Sequence, residues 1–144
     1  MELPSLPSGT VINSRDDAQI GYDYQVEVDI TWAKETEGTI LLQSPYSRFY
    51  LADPVGGWLG FSRDGYLYTF RHKGKPGRTE HICIKGTNRN TALYVNGKLV
   101  QDLSIEKRFY TENKSYNYVR TLVFPLHETG RFNSRITHFK AVKQ

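Results

Sequence analysis

Between Tyr24 and Trp32 the chain alternates, with Tyr24, Val26, Val28, Ile30 and Trp32 apolar and Gln25, Glu27, Asp29 and Thr31 polar. Successive side chains on a strand point to opposite faces, so this period of two predicts a strand with one buried and one wet face. Shorter runs rich in β-branched and aromatic residues predict further strands at Thr39 to Gln43, Arg48 to Leu51, Trp58 to Ser62, Leu67 to Arg71, Glu80 to Lys85, Thr91 to Val95, Lys98 to Leu103, Tyr118 to Val123 and Arg135 to Val142. No long segment keeps an apolar period of 3.6, so little helix is expected.

Turn chemistry separates these runs. Asn96-Gly97 supplies the two positive-φ residues of a type I′ turn, setting Leu93, Tyr94 and Val95 across from Lys98, Leu99 and Val100. Asp64-Gly65 between Phe61 and Tyr66 is expected to close a second tight hairpin, and Gly56-Gly57 and Gly86-Thr87-Asn88 mark other reversals. Many short strands at this spacing predict an all-β, two-sheet antiparallel jelly-roll sandwich. Residues 1–9, with their Pro, Ser and Gly, read as a lead-in or linker, and residues 10–144 as a single sandwich domain whose first β segment starts near Thr10. Arg108 to Asn117, polar and aromatic without alternation, reads as a long loop.

Composition narrows the function. At 144 residues with 38% apolar content, including 10 Tyr, 7 Phe and 2 Trp, the chain has material for one core. The formal charge of +4 comes from 19 Lys and Arg set among 15 Asp and Glu. The densest basic passage, Arg71 to Arg78, includes two Gly and one Pro and reads as a hairpin loop, so nucleic acid is not an expected partner. No apolar run approaches the ~20 residues that span a bilayer, and the start does not read as a secretory signal. A single cysteine, Cys83, gives no internal disulfide and leaves the redox compartment open.

The phrases YQVEVDITW, GTILL, GWLGF and LYVNGKLV follow one another in an order that resembles the concanavalin A-like and laminin G-like jelly rolls. The resemblance runs from about Tyr24 to the end of the chain. FSRDGYLYTF and RTLVFPLHETGRF are more specifically similar to the accessory jelly-roll domain that follows the catalytic barrel in some bacterial β-hexosaminidases of family 20. The resemblance implies a non-catalytic module of a secreted glycoside hydrolase, periplasmic or extracellular. Such a module binds carbohydrate, for instance glycans containing N-acetylhexosamine, or packs against its catalytic neighbour. It carries over no catalytic residue, cofactor or metal, and says nothing of oligomeric state.

A sugar ring offers an apolar C–H face and a hydroxyl edge, and it suits an aromatic platform beside forked donors. Tyr46, Arg48, Tyr50, Trp58, Arg63, Tyr66, Tyr68 and Arg71 cluster in sequence, and Trp58, Tyr66, Tyr68 and Arg71 are the expected ligand-binding residues, with Leu59, Phe61, Leu67 and Phe70 competing for the interior. Glu27 and Asp29 share a strand face roughly 7 Å apart, a spacing compatible with a glycosidase pair. They make a small jelly-roll glycosidase or lyase the alternative function, although Trp32 stands where an ExDxxE pattern needs its third acid. The leading reading is that Gln25, Glu27, Asp29 and Thr31 form the solvent face opposite the apolar one.

His72, His81, His127 and His138 show no zinc spacing, and Asp53, Asp64, Asn88, Asn90 and Asn96, candidates for a calcium rim, read first as turn residues because no ladder of acids accompanies them. Cys83, on one face with His81, reads as a buried structural thiol.

Overall fold

The computed structural model describes residues 8–12, 18–20, 23–43, 48–63, 66–87, 90–104, 110–111, 122–124, 127–128 and 131–144. Their regular structure is entirely strand: β1 (Val11–Ile12), β2 (Ala18–Ile20), β3 (Tyr24–Thr31), β4 (Thr39–Gln43), β5 (Arg48–Ala52), β6 (Gly60–Arg63), β7 (Tyr66–Thr69), β8 (Thr79–Gly86), β9 (Asn90–Val95), β10 (Lys98–Ser104), β11 (Tyr110–Thr111), β12 (Leu122–Phe124), β13 (His127–Glu128) and β14 (Arg135–Lys143). They form a six-stranded sheet in the order β1-β14-β3-β8-β9-β10, a second in the order β11-β7-β6-β5-β4-β13, and a β12-β2 pair, all antiparallel.

The alternation of β3 is the organising feature. Tyr24, Val26, Val28 and Ile30 are buried, and the four polar residues between them are half-buried on the other face. The buried set meets Ile82 and Ile84 of β8 and Leu93 of β9 in one core with Leu41, Phe49 and Leu51 of the second sheet, closed at one end by Trp32, Leu59 and Phe70. Burial of apolar area on both inner faces, at about 25 cal/mol per Å², is what holds two sheets together.

The Asn96-Gly97 turn has φ values of 51° and 82°, the two left-handed residues a type I′ turn needs. Lys98 pairs with Val95 and Leu99 with Tyr94, as expected, but a bulge then sets Gln101 rather than Val100 against Leu93. The strand foreseen from Trp58 starts at Gly60, because the backbone of Trp58 is taken by the Asp53 turn: Asp53 N–H donates to Trp58 O at 2.7 Å. The strand foreseen to Arg71 ends at Thr69, where a tight turn intervenes. Within the loop expected at 108–117, Tyr110–Thr111 pairs with β7 as a short strand, and the rest lies outside the described residues. The Asp64-Gly65 reversal also lies outside them, though Arg63 pairs with Tyr66 across it. Of the lead-in, residues 1–7 lie outside the description, and Gly9 N–H donates to Lys143 O at 2.6 Å.

Candidate functional site

Two turns at one end of the second sheet bring Trp58 and Arg71 together. The first is built on Asp53, which is wholly buried. Its Oδ1 accepts the backbone N–H groups of Val55 and Gly56 at 2.7 and 2.9 Å, and its Oδ2 accepts that of Trp58 at 2.7 Å. Gly57 takes φ 74° and donates to Asp53 O at 3.0 Å, so the Asp53 to Trp58 segment closes on itself. A buried carboxylate is tolerated only when its oxygens are satisfied, and three N–H donors do this here.

The second turn presents Arg71. Leu59 accepts from Phe70 N–H at 2.9 Å and donates to His72 O at 2.9 Å, while His72 N–H donates back to Phe70 O at 2.6 Å. That i to i+2 bond makes residues 70–72 a γ-turn with Arg71 at its apex. The Arg71 N–H donates to Gln101 Oε1 of β10 at 2.7 Å, which ties the apex to the other sheet. Phe70 points fully inward and Arg71 is exposed.

Asp53, Val55, Gly56, Trp58, Thr69, Phe70 and Arg71 line a cleft of about 350 Å³. Trp58 is half-buried, and the Lys73 ammonium sits 4.5 Å from its ring centroid, a cation–π contact. Of the four expected ligand residues, the structure therefore brings Trp58 and Arg71 to one cleft. Tyr66 and Tyr68 lie on β7, and their side chains are outside the described residues, as are Tyr46 and the side chain of Arg63. Tyr50 does not offer a platform: it is buried, and Arg48 reaches its hydroxyl at 3.3 Å. Leu59 and Phe70 occupy the interior as expected.

The outer face of the first sheet carries the two strand carboxylates. His81 on β8 pairs with Asp29, and its Nδ1 lies 2.7 Å from Asp29 Oδ1 while its Nε2 lies 3.1 Å from Glu27 Oε1. Neutral imidazole has one N–H, so two carboxylate partners favour the doubly protonated ring. The Asp29 hydrogen bond, against the opposing effect of burial and with help from Glu27, raises the His81 pKa above its ordinary value. The His81 hydrogen bond lowers Asp29 in turn, outweighing its burial, with His138 contributing from 3.0 Å. Burial pushes Glu27 upward, but His81, Lys140 and Gln25 together bring it below the usual carboxylate value.

His138 sits at φ 54° in a bulge of β14, which is what turns its ring toward Asp29. Sequence spacing gave no sign of this network, because it is assembled across three strands. A glycosidase needs one carboxyl held protonated near neutral pH, and both acids here shift the other way. Cys83 is buried, and desolvation together with the Glu27 charge pushes its thiol up to about 11. Among the described residues, no group of three or more His, Cys, Asp or Glu side chains is arranged to hold a metal ion, and no helix is long and apolar enough to cross a membrane.

Neither a protein-family model nor a curated protein sequence matches the chain. Solved structures do. Domain 4 of AbnA, an extracellular arabinanase of family GH43 from Geobacillus stearothermophilus, solved in complex with arabinotriose, is similar over 92% of this chain and 69% of that one, with 14% identity and a TM-score of 0.54. The shared fold is an all-β, two-sheet antiparallel jelly-roll sandwich. Sheep galectin-11, in complex with glycerol, aligns over 92% of this chain and all of its own at 11% identity, with a TM-score of 0.38 that is too low to build on.

Proposed function

We propose that the chain is a non-catalytic carbohydrate-binding sandwich module of a secreted bacterial glycoside hydrolase, with the Trp58–Arg71 cleft as its binding site. The observation that carries the reading is the convergence of an indole and a guanidinium on one cleft. An aromatic face packs on the C–H side of a sugar ring, and a planar fork of N–H donors serves its oxygens. Support by analogy comes from the arabinanase domain that shares the fold and was solved with a trisaccharide. The FSRDGYLYTF and RTLVFPL phrases favour a β-hexosaminidase as the parent, and with it an N-acetylhexosamine-containing glycan. Tethered to a catalytic domain, such a module serves even at modest affinity, because the linker supplies effective concentration.

A glycan array that includes arabino-oligosaccharides and N-acetylglucosamine oligomers, probed with the native protein and Trp58→Ala, tests the reading. Circular dichroism checks that both are folded. A hit that the folded variant loses is the expected result. An empty array for the folded native protein overturns the reading and leaves packing against a catalytic neighbour as the module's role.

A further inference from the structure

We infer that the Trp58–Arg71 cleft selects an anionic saccharide, its ring against the indole and its carboxylate or sulfate on the Arg71 guanidinium. The inference rests on the reading of this cleft as a saccharide site and adds the charge class of the sugar.

The polar groups that the cleft turns outward are unbalanced. Arg71, in the lining, and Lys73, outside the lining but 4.5 Å from the Trp58 ring centroid, are both exposed, and among the described residues neither is paired with a carboxylate. Among the described residues Asp53 is the only acid lining the cleft, and it has no exposed surface, its two oxygens being turned onto three backbone N–H groups. A Cβ added at Gly57 would meet Glu37 Cγ at 3.3 Å, its Oε1 at 3.8 Å and the Lys73 ammonium at 3.9 Å, so Lys73 has a carboxylate in its neighbourhood, whereas among the described residues Arg71 is paired with none.

Guanidinium and ammonium groups donate and never accept. Sugar hydroxyls do both, so neutral sugars are best met by mixed donors and acceptors, whereas a donor-only edge matches a group that only accepts. Among the described lining residues Thr69 supplies the one side-chain hydroxyl, and the donor-only part of the edge is Arg71. The guanidinium fork fits the two oxygens of a carboxylate or sulfate, and the γ-turn tied to Gln101 fixes the backbone from which it projects. From Arg71 to Thr79 the chain adds four cations and no acid, a local positive field that draws anions from beyond contact distance.

Isothermal titration with trigalacturonate, a sulfated galacto-oligosaccharide and neutral galactotriose separates the possibilities, using native protein, Arg71→Ala, Arg71→Lys and Trp58→Ala. Among the described residues the exposed Arg71 side chain has no hydrogen-bond or ion-pair partner, so its variants test the contact and not stability. One of the two anionic sugars is expected to bind at least about tenfold tighter than galactotriose, and which one it is names the group on Arg71. Arg71→Ala is expected to remove roughly ten- to hundredfold of that affinity, the worth of a charge-assisted bond, and Arg71→Lys to restore part of it. Raising salt from about 50 to about 300 mM is expected to weaken the anionic ligand alone.

Equal binding of neutral and anionic sugars, lost in Trp58→Ala and unchanged in Arg71→Ala, overturns the charge preference and leaves the saccharide site standing. No binding by any of the three, together with an empty array, overturns both.

Discussion

Gly74 lies so flat against the indole of Trp32 that a Cβ added to it would sit 1.7 Å from Trp32 Cδ2 and 2.2 Å from Cγ. Trp32 is a core residue, so the ring has nowhere to retreat. Gly74→Ala is expected to destabilise the fold by about 1–3 kcal/mol, the usual cost of overpacking. A lowered urea midpoint with a changed near-UV spectrum is the signature; an unchanged midpoint would show that the 71–78 loop lifts away freely.

The same indole sets a second test. Trp32 Nε1 donates to Glu80 Oε1 at 2.7 Å, His72 Nε2 lies 2.9 Å from that oxygen, and Glu80 is buried. Glu80→Ala leaves the buried indole N–H without a partner, at a cost of about 1–3 kcal/mol. In Trp32→Phe the donor is already gone, so removing Glu80 as well is expected to cost less than removing it from the native protein. A double-mutant cycle by chemical denaturation measures the difference, and strict additivity would mean the bond contributes nothing.

Thr91 offers a gain instead of a loss. Its hydroxyl is fully buried and is the one buried side-chain polar atom without a hydrogen-bond partner among the described residues. Thr91→Val swaps the unsatisfied oxygen for a methyl group of similar shape and is expected to stabilise by about 0.5–2 kcal/mol. A drop in thermal midpoint would reveal a partner for that hydroxyl.

The His81 network gives stability a defined pH dependence. His81 has a folded pKa above its ordinary 6.5, so its contribution is complete below about that pH and disappears as pH rises through the folded value. Asp29 and Glu27 lie below their ordinary 3.8 and 4.5, so theirs is complete above those values and disappears as pH falls through the folded ones. The denaturation midpoint is therefore expected to be highest between about pH 5 and 6.5. Solvent reaches this face, with the His81 side chain 42% exposed, so the amplitude is about 1 kcal/mol or less and shrinks with salt. His81→Gln is expected to flatten the profile; an identical profile in that variant would assign the dependence to other groups.

The strands with the clearest alternation are legible in the sequence alone. Tyr24 to Thr31 formed as read because its period of two matches a sheet with one covered face, and Asn96-Gly97 wrote its turn in residue types that accept positive φ. What escaped was set by partners distant in sequence. Val11–Ile12 and His127–Glu128 are too short to carry a pattern and exist as strands through pairing with β14 and β4. The bulge after Leu99 has no composition mark, and it moved Val100 out of register. At the candidate site, Trp58 and Arg71 were recognisable as sugar-binding types, but the γ-turn that projects Arg71 depends on Leu59 and Gln101, which no local reading joins to it. The link between His81 and the two strand acids was hidden for the same reason, since β3 and β8 lie about fifty residues apart along the chain.

The place of β14 between β1 and β3 has a kinetic consequence. Residues 135–143 must thread between segments made more than a hundred residues earlier, pairing Val142 with Val11 on one side and with Gln25 on the other. On a ribosome, β3 therefore waits with one hydrogen-bonding edge bare until the last strand emerges. Such distant pairings slow a chain's search, and an open, half-apolar edge is the state most prone to associate with its own kind. The interval between synthesis of β3 and arrival of β14 is therefore when this edge is open to self-association.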